Sequence, residues 1–300
     1  MGKEEPIGFI GLGIMGKPMS RNLMKAGYSL IVYDVVGEAV EEIVTDGAQA
    51  AASAKEVAEK TKTIITMLPD GPDVENVVLG QGGVIEGVAS GSTLIDMSSI
   101  SPLVSQKLAS ACAKKGVEVL DAPVSGGEPK AIDGTLAIMV GGKKAVFDEH
   151  VSLLNIMGGS VTLTGDVGAG NVTKLANQII VALNIAAVGE ALVLATKAGV
   201  DPAVVFDAIK GGLAGSTVLD AKGPMITEGN FAPGFRIKLH EKDLRNTLLT
   251  AESLKVPLPL TSVVQQMLVA LMNEGKGDLD HSAIATFTEN LAGVKARKKK

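Results

Sequence analysis

Lys174 is the only charged residue between Asn171 and Gly189, in a run that is mostly aliphatic. If that run is helical, Lys174, Asn177 and Gln178 are spaced so that they share one face. An ammonium group in dry surroundings, beside two amides, can protonate a developing alkoxide. With its pKa lowered it can also take the proton back. A lone helical lysine is more often a solvated surface group. A water-facing stripe, however, normally carries more Glu, Lys and Arg than this one. From the residues alone both readings stand.

Two glycine-containing segments could bind ligands. Gly11-Leu12-Gly13-Ile14-Met15-Gly16 follows a short apolar run and opens a helical pattern. Gly11 permits the tight turn, Gly13 lets backbone approach a pyrophosphate, and Gly16 lets helix and strand pack closely. The helix start offers unpaired N–H groups and partial positive charge to phosphates. Asp34 ends the next apolar run, at the distance where a carboxylate meets adenosine ribose hydroxyls. Val35, Val36 and Gly37 supply no cation for a 2′-phosphate, so the expected cofactor is NAD, used as NADH, rather than NADP. The second segment is Ser125-Gly126-Gly127. Its successive N–H groups and hydroxyl suit a carboxylate, although taken alone it reads as an ordinary glycine turn.

Alternating strands and helices position these groups. Apolar runs at Ile7–Ile10, Leu30–Tyr33, Thr63–Leu68, Thr93–Ile95, Val117–Leu120 and Leu136–Val140 predict strands. Helical stretches between them include Met15–Ala26, stopped by Gly27, and one capped by Ser101 with Pro102 and ended by Gly116. Such runs predict a mainly parallel sheet covered on both faces, with ligands beyond its carboxyl ends. From about Asp166 strand signals stop. Helix starts are expected at Asp201-Pro202, Ser216, Thr261 and Asp280. The predicted fold is a Rossmann-type α/β domain over 1–165 and an all-helical domain over 166–300, joined by a long helix. The apolar stretch Leu175–Val200 reads as a helix buried on nearly all sides, because Asn177, Gln178, Asn184, Glu190 and Lys197 interrupt it too often for a membrane span.

Composition narrows the function. The chain has 300 residues, a net charge of −5, 3% aromatic residues and no Trp, which argues against a nucleic-acid partner. The basic tail Val294–Lys300 reads as a solvated, frayed end. Cys112 is the single cysteine and lies between alanines, so it reads as a buried thiol in a reducing cytoplasm rather than a nucleophile. His150, His240 and His281 are scattered, and no metal site is expected. Met1 to Pro6 lacks a signal-peptide core, and Pro6 stands where a myristoylation motif needs Ser or Thr.

These segments resemble the β-hydroxyacid dehydrogenase family, the relatives of 3-hydroxyisobutyrate and 6-phosphogluconate dehydrogenases. The resemblance covers essentially the whole chain. It rests on Gly11 to Gly16, Asp121 to Gly127, Gly168 to Gln178, and Lys242-Asp243. It implies that Lys174 is the catalytic acid/base, that Ser125, Gly126 and Gly127 hold the substrate carboxylate, and that Asn177 contacts substrate. Ser99 and Lys242 match cofactor contacts near the nicotinamide, and Met67-Leu68-Pro69 matches a loop along the cofactor. Many relatives carry a second asparagine where this chain has Gln178, so the resemblance gives that residue a supporting role. The stretches Gly126 to Thr135 and Gly211 to Asp220 depart from the hydroxyisobutyrate branch and imply reduction of tartronate semialdehyde to D-glycerate. 3-Hydroxyisobutyrate or another short β-hydroxyacid is the alternative substrate. A sugar-phosphate substrate would call on Arg236 and Lys238, but the chain is short for that branch. A non-catalytic NAD-binding module would have little reason to keep Lys174 with Ser125-Gly126-Gly127. The implied partner is a small carboxylate semialdehyde or hydroxyacid, and the implied state is a homo-oligomer, dimer or tetramer.

Overall fold

The structure, a computed structural model, describes residues 5–299. Met1–Glu4, most of the segment read as lacking a signal peptide, and Lys300, the end of the basic tail, lie outside the described residues. Two compact units divide the chain, Met1–Lys174 and Leu175–Lys300.

Among the described residues the first unit is built on nine strands: β1 (Ile7–Ile10), β2 (Leu30–Tyr33), β3 (Gln49–Ala50), β4 (Thr63–Thr66), β5 (Thr93–Asp96), β6 (Glu118–Asp121), β7 (Val124–Ser125), β8 (Leu136–Gly141) and β9 (Gly158–Gly165). Their order is β3-β2-β1-β4-β5-β6-β8-β7, with β9 paired to β8. Strands β1 to β6 pair in parallel, whereas β8 runs antiparallel to β6 and β7. The central strands β1, β4 and β5 are buried along their whole length. Successive side chains therefore enter two cores: Phe9, Val32 and Ile65 face one side, and Ile10, Ile31 and Ile64 face the other. This is why their sequences read as unbroken apolar runs.

Local signals place the helices. Ser101 accepts a hydrogen bond from Leu103 N–H and Pro102 starts the helix Pro102–Ala113. Gly27 and Gly116 stop their helices at φ +92° and +70°, where a side chain would be strained. The strands β3, β7 and β9 have no apolar run to announce them. β3 and β7 are two residues long, and β9 opens on two glycines and is mostly exposed or half-buried.

The second unit is all-helical. It takes up the long helix Ala169–Lys197 from Leu175 onward and adds Pro202–Ile209, Thr217–Glu228, Ile237–Leu254, Pro259–Asn273 and Ala285–Ala292. Asp201 and Ser216 cap their helices through Ala203 N–H and Leu219 N–H. The start expected at Thr261 falls earlier, because Pro259 occupies the first helical position, where its missing N–H is not needed.

Two expectations need correction. The long helix is not buried on nearly all sides: 33% of its most apolar window is buried, and Ile180 and Leu194 are 62% and 73% exposed. Within the second unit the other helices cover only part of its circumference, through Ala182, Ile185 and Ala186 in one core and Leu192 and Val193 in another. By length and hydropathy alone it is, among the described residues, the one helix that could cross a membrane. The basic tail is not frayed up to Lys299. Ala296 is fully buried, Arg297 pairs with the buried Glu289, and Lys298 N–H donates to Thr227 C=O at 2.9 Å. A buried carboxylate demands a cation, and the tail supplies it.

Candidate active site

The first unit lines its candidate residues along the carboxyl ends of adjacent parallel strands. After β1, Gly11 turns at φ +98°, and a Cβ there would lie 2.3 Å from the Met67 carbonyl oxygen. A Cβ on Gly16 would lie 1.9 Å from the Gly11 carbonyl oxygen, whereas one on Gly13 would meet nothing within 4 Å. Two of the glycines are thus required by the fold, and the third leaves open backbone facing solvent. Leu12 is buried and Ile14 is 53% exposed; Met15, half-buried, immediately precedes the helix Gly16–Lys25, which has no acidic residue in its first turn. Asp34, after β2, accepts hydrogen bonds from Leu12 N–H at 2.6 Å and Val36 N–H at 2.8 Å. A cavity of about 500 Å³ lies here, lined by Leu12, Gly13, Ile14, Asp34 and Val36 together with Lys17 and Arg21. The open glycine, the bare helix start and the carboxylate fit a dinucleotide.

The loops after β4 and β5 are tied together. Leu68 N–H donates to Ser98 Oγ at 2.9 Å, beside the half-buried Met67 and Ser99. Asp96, at the end of β5, accepts from Thr66 Oγ at 2.8 Å and Ser98 N–H at 3.2 Å through one oxygen. Its other oxygen is buried without a hydrogen-bond partner. Burial pushes its carboxyl up to about 6 against these hydrogen bonds, and Asp121 on the neighbouring strand adds to the rise.

Asp121 ends β6 and is fully buried. Its two oxygens accept from Gly168 N–H at 2.7 Å and Asn171 N–H at 2.8 Å, at the start of the long helix. Burial raises its carboxyl to about 6 despite those bonds. Asn171 also accepts from Ile100 N–H at 3.0 Å and donates to Ser105 Oγ at 3.1 Å. Lys174 stands one turn further along the same helix and is 5% exposed. At that exposure it is not a solvated surface lysine. Ser125 is half-buried on β7, and Gly126 and Gly127 follow at φ +139° and +70°, leading into the helix Gly127–Asp133.

The second unit gathers a separate polar network. Asn177 Nδ2 donates to Gln178 Oε1 at 2.8 Å, and Gln178 Nε2 donates to Asp243, which pairs with Lys242 at 3.1 Å. Gln178 is therefore a buried centre of the network. Beneath it, His240 Nε2 lies 3.3 Å from the Gln178 carbonyl oxygen, and His240 and His281 share an Nδ1···Nδ1 contact of 2.9 Å. Asp280 would be raised by burial, but His281, the Ser282 N–H and hydroxyl, and Lys222 hold it down at about 2.

Reasoning from sequence did not assign Asp96, Asp121, Asn171, Asp243 or His240 a part in the site. An acid at the end of the apolar runs of β5 and β6 was the available signal for the first two. The buried Cys112 thiol is pushed up to about 11 by desolvation, so it stays protonated and unreactive.

Comparison with known proteins agrees with this geometry. Residues 6–165 match the model of the NAD binding domain of 6-phosphogluconate dehydrogenase, and residues 168–288 match that of the NAD-binding of NADP-dependent 3-hydroxyisobutyrate dehydrogenase. The chain is 45% identical to the 2-hydroxy-3-oxopropionate reductase of Escherichia coli (strain K12), over 96% of this chain and 99% of that one. It is 38% identical to the mitochondrial 3-hydroxyisobutyrate dehydrogenase of Mus musculus, over 96% and 88% of the two chains. Among solved structures, the 3-hydroxyisobutyrate dehydrogenase of Mycobacterium tuberculosis with L-serine superposes with a TM-score of 0.88 at 31% identity, covering 95% of this chain and 99% of that one. A parallel sheet with a dinucleotide turn, an all-helical second unit and relatives matched from end to end lead to one conclusion: the chain belongs to the β-hydroxyacid dehydrogenase family, NAD(P)-dependent oxidoreductases acting on hydroxyacids.

Proposed function

We propose that this enzyme reduces tartronate semialdehyde (2-hydroxy-3-oxopropionate) to D-glycerate with NADH, and that Lys174 is its acid/base. The observation that carries the reading is the burial of Lys174 one turn from a helix start fixed at the carboxyl end of β6. The substrate follows from the Escherichia coli relative, whose name states that substrate. When bound, the reduced nicotinamide supplies hydride to the aldehyde carbon. Lys174, as the ammonium, donates its proton to the carbonyl oxygen and offsets the charge that develops there. The N–H groups and hydroxyl of Ser125-Gly126-Gly127 hold the substrate carboxylate, Asn177 contacts the substrate, and Gln178 supports Asn177 through their hydrogen bond. In the reverse direction neutral Lys174 takes the proton.

The preference for NADH over NADPH rests on Asp34 and on the absence of a cation at Val35, Val36 and Gly37. Two cations do line the cavity, but Lys17 pairs with Glu42, and Arg21 pairs with Glu42 and with Asp46 at 2.7 Å. A 2′-phosphate would meet those acids as well. An NADH-oxidation screen across C3 and C4 semialdehydes tests the substrate, and the same assay with NADPH tests the cofactor. The highest kcat/KM is expected for tartronate semialdehyde with NADH. A higher value for methylmalonate semialdehyde would give the alternative, a 3-hydroxyisobutyrate dehydrogenase, and a clear NADPH preference would overturn the role of Asp34.

The exposed apolar side chains of the long helix, with Leu291 at 77%, favour a homo-oligomer. Light scattering is expected to give a dimer or tetramer mass; a monomer at micromolar concentration would contradict this.

A further inference from the structure

We propose that Asp121, assisted by Asn171, is the positioning residue for Lys174, acting on the reaction only through the placement of that amine. The inference rests on the reading of Lys174 as the acid/base. A helix start leaves its first N–H groups without intrahelical partners. Here the Asp121 carboxylate takes two of them, one on each oxygen, from Gly168 and Asn171. Its charge also complements the positive end of the helix. The approach is tight. A Cβ on Gly170 would lie 2.4 Å from the Met139 carbonyl oxygen and 2.5 Å from that of Asp121, and one on Gly141 would lie 2.3 Å from Asp121 Oδ1. The helix start is thus seated directly on the ends of β6 and β8.

Asn171 fixes the other side. Its fully buried side chain holds Ile100 N–H and Ser105 Oγ, so the same turn is clasped to the segment that follows Ser99. Lys174 is the next side chain on that face, one turn on. A shift or rotation of the first turn therefore moves the ammonium relative to the loops after β4 and β5. An error of about 1 Å in such a placement costs on the order of 10²-fold in rate.

The test is a double-mutant cycle on the full chain. Asp121→Asn replaces one accepting oxygen with an amide nitrogen that opposes a backbone N–H, so one helix-start bond is lost. Made alone, it is expected to lower kcat on the order of 10²-fold, with NADH affinity and substrate KM little changed. Made in Lys174→Ala, it is expected to leave the residual turnover nearly unaltered, because no tethered amine remains to misplace. An equal fold-loss in both backgrounds, or a loss confined to KM or NADH affinity, would overturn the proposal. Should Asp121→Asn not fold, Asn171→Ala takes its place in the same cycle, with the same two outcomes. Full activity in Lys174→Ala by itself would sink the acid/base reading, and this proposal with it. That result is separable because it needs no change at Asp121.

Discussion

Lys174→Ala is expected to lower kcat by on the order of 10²–10⁴-fold while NADH still binds. The substitution removes the only charged side chain between Asn171 and Gly189. It leaves intact the glycine turn after β1, the Asp34 carboxylate and the Asp121 seat of the helix. Cofactor affinity depends on the turn and on Asp34; turnover depends on a proton reaching the carbonyl oxygen. The two readouts therefore separate, with fluorescence titration giving NADH affinity and NADH oxidation giving kcat. Small primary amines added to the variant should restore part of the rate, because the space left by the side chain can admit a free donor. Lysine replaced by arginine is not expected to rescue, since a guanidinium holds its proton too tightly to return it. Near wild-type turnover in Lys174→Ala would be incompatible with the mechanism.

The second large effect is on stability and its pH dependence. Burial raises the Asp96 carboxyl from 3.8 to about 6. The folded state therefore binds a proton more tightly than the unfolded chain does. Stability contributed by the protonated form is present at low pH and declines as pH rises from about 4 to about 6; above that range the buried charge costs up to about 3 kcal/mol. Asp96→Asn keeps an oxygen for Thr66 and Ser98 but cannot ionise. Its stability relative to wild type should thus rise by about 2 kcal/mol between pH 4.5 and pH 7.5, read from urea unfolding at the two values. Asp121 is raised in the same direction, so removing the Asp96 charge also relieves its neighbour. A difference between variant and wild type that stays constant with pH would show that Asp96 ionises as an exposed carboxylate does.

The features that were legible in the sequence are those set by neighbours in the chain. Strands β1, β2, β4 and β5 announce themselves because central strands are buried on both faces, and Ser101, Asp201 and Ser216 are read as caps because capping is local. The glycine turn and the isolation of Lys174 are equally local. What was not legible depends on distant partners. Asp121 reaches residues 47 and 50 positions away, and nothing in its own segment says so. Gln178, a departure from many relatives, reads from the sequence as a supporting residue, and nothing near it announces that its longer amide reaches Asp243, 65 positions on. The tail looked frayed because its charges pair with Glu289 and Glu228, which only the fold brings near. The long helix reads as buried on nearly all sides because apolar composition does not say whether the covering surface belongs to the same chain.

The central claim is that the Lys174 amine meets the reacting oxygen, and a crystal structure of the enzyme with NAD and D-glycerate measures this directly. The account predicts Lys174 Nζ at about 2.6–3.2 Å from the hydroxyl oxygen of the carbon that exchanges hydride. An amine turned to bulk solvent, with water or another side chain holding that oxygen, would contradict it.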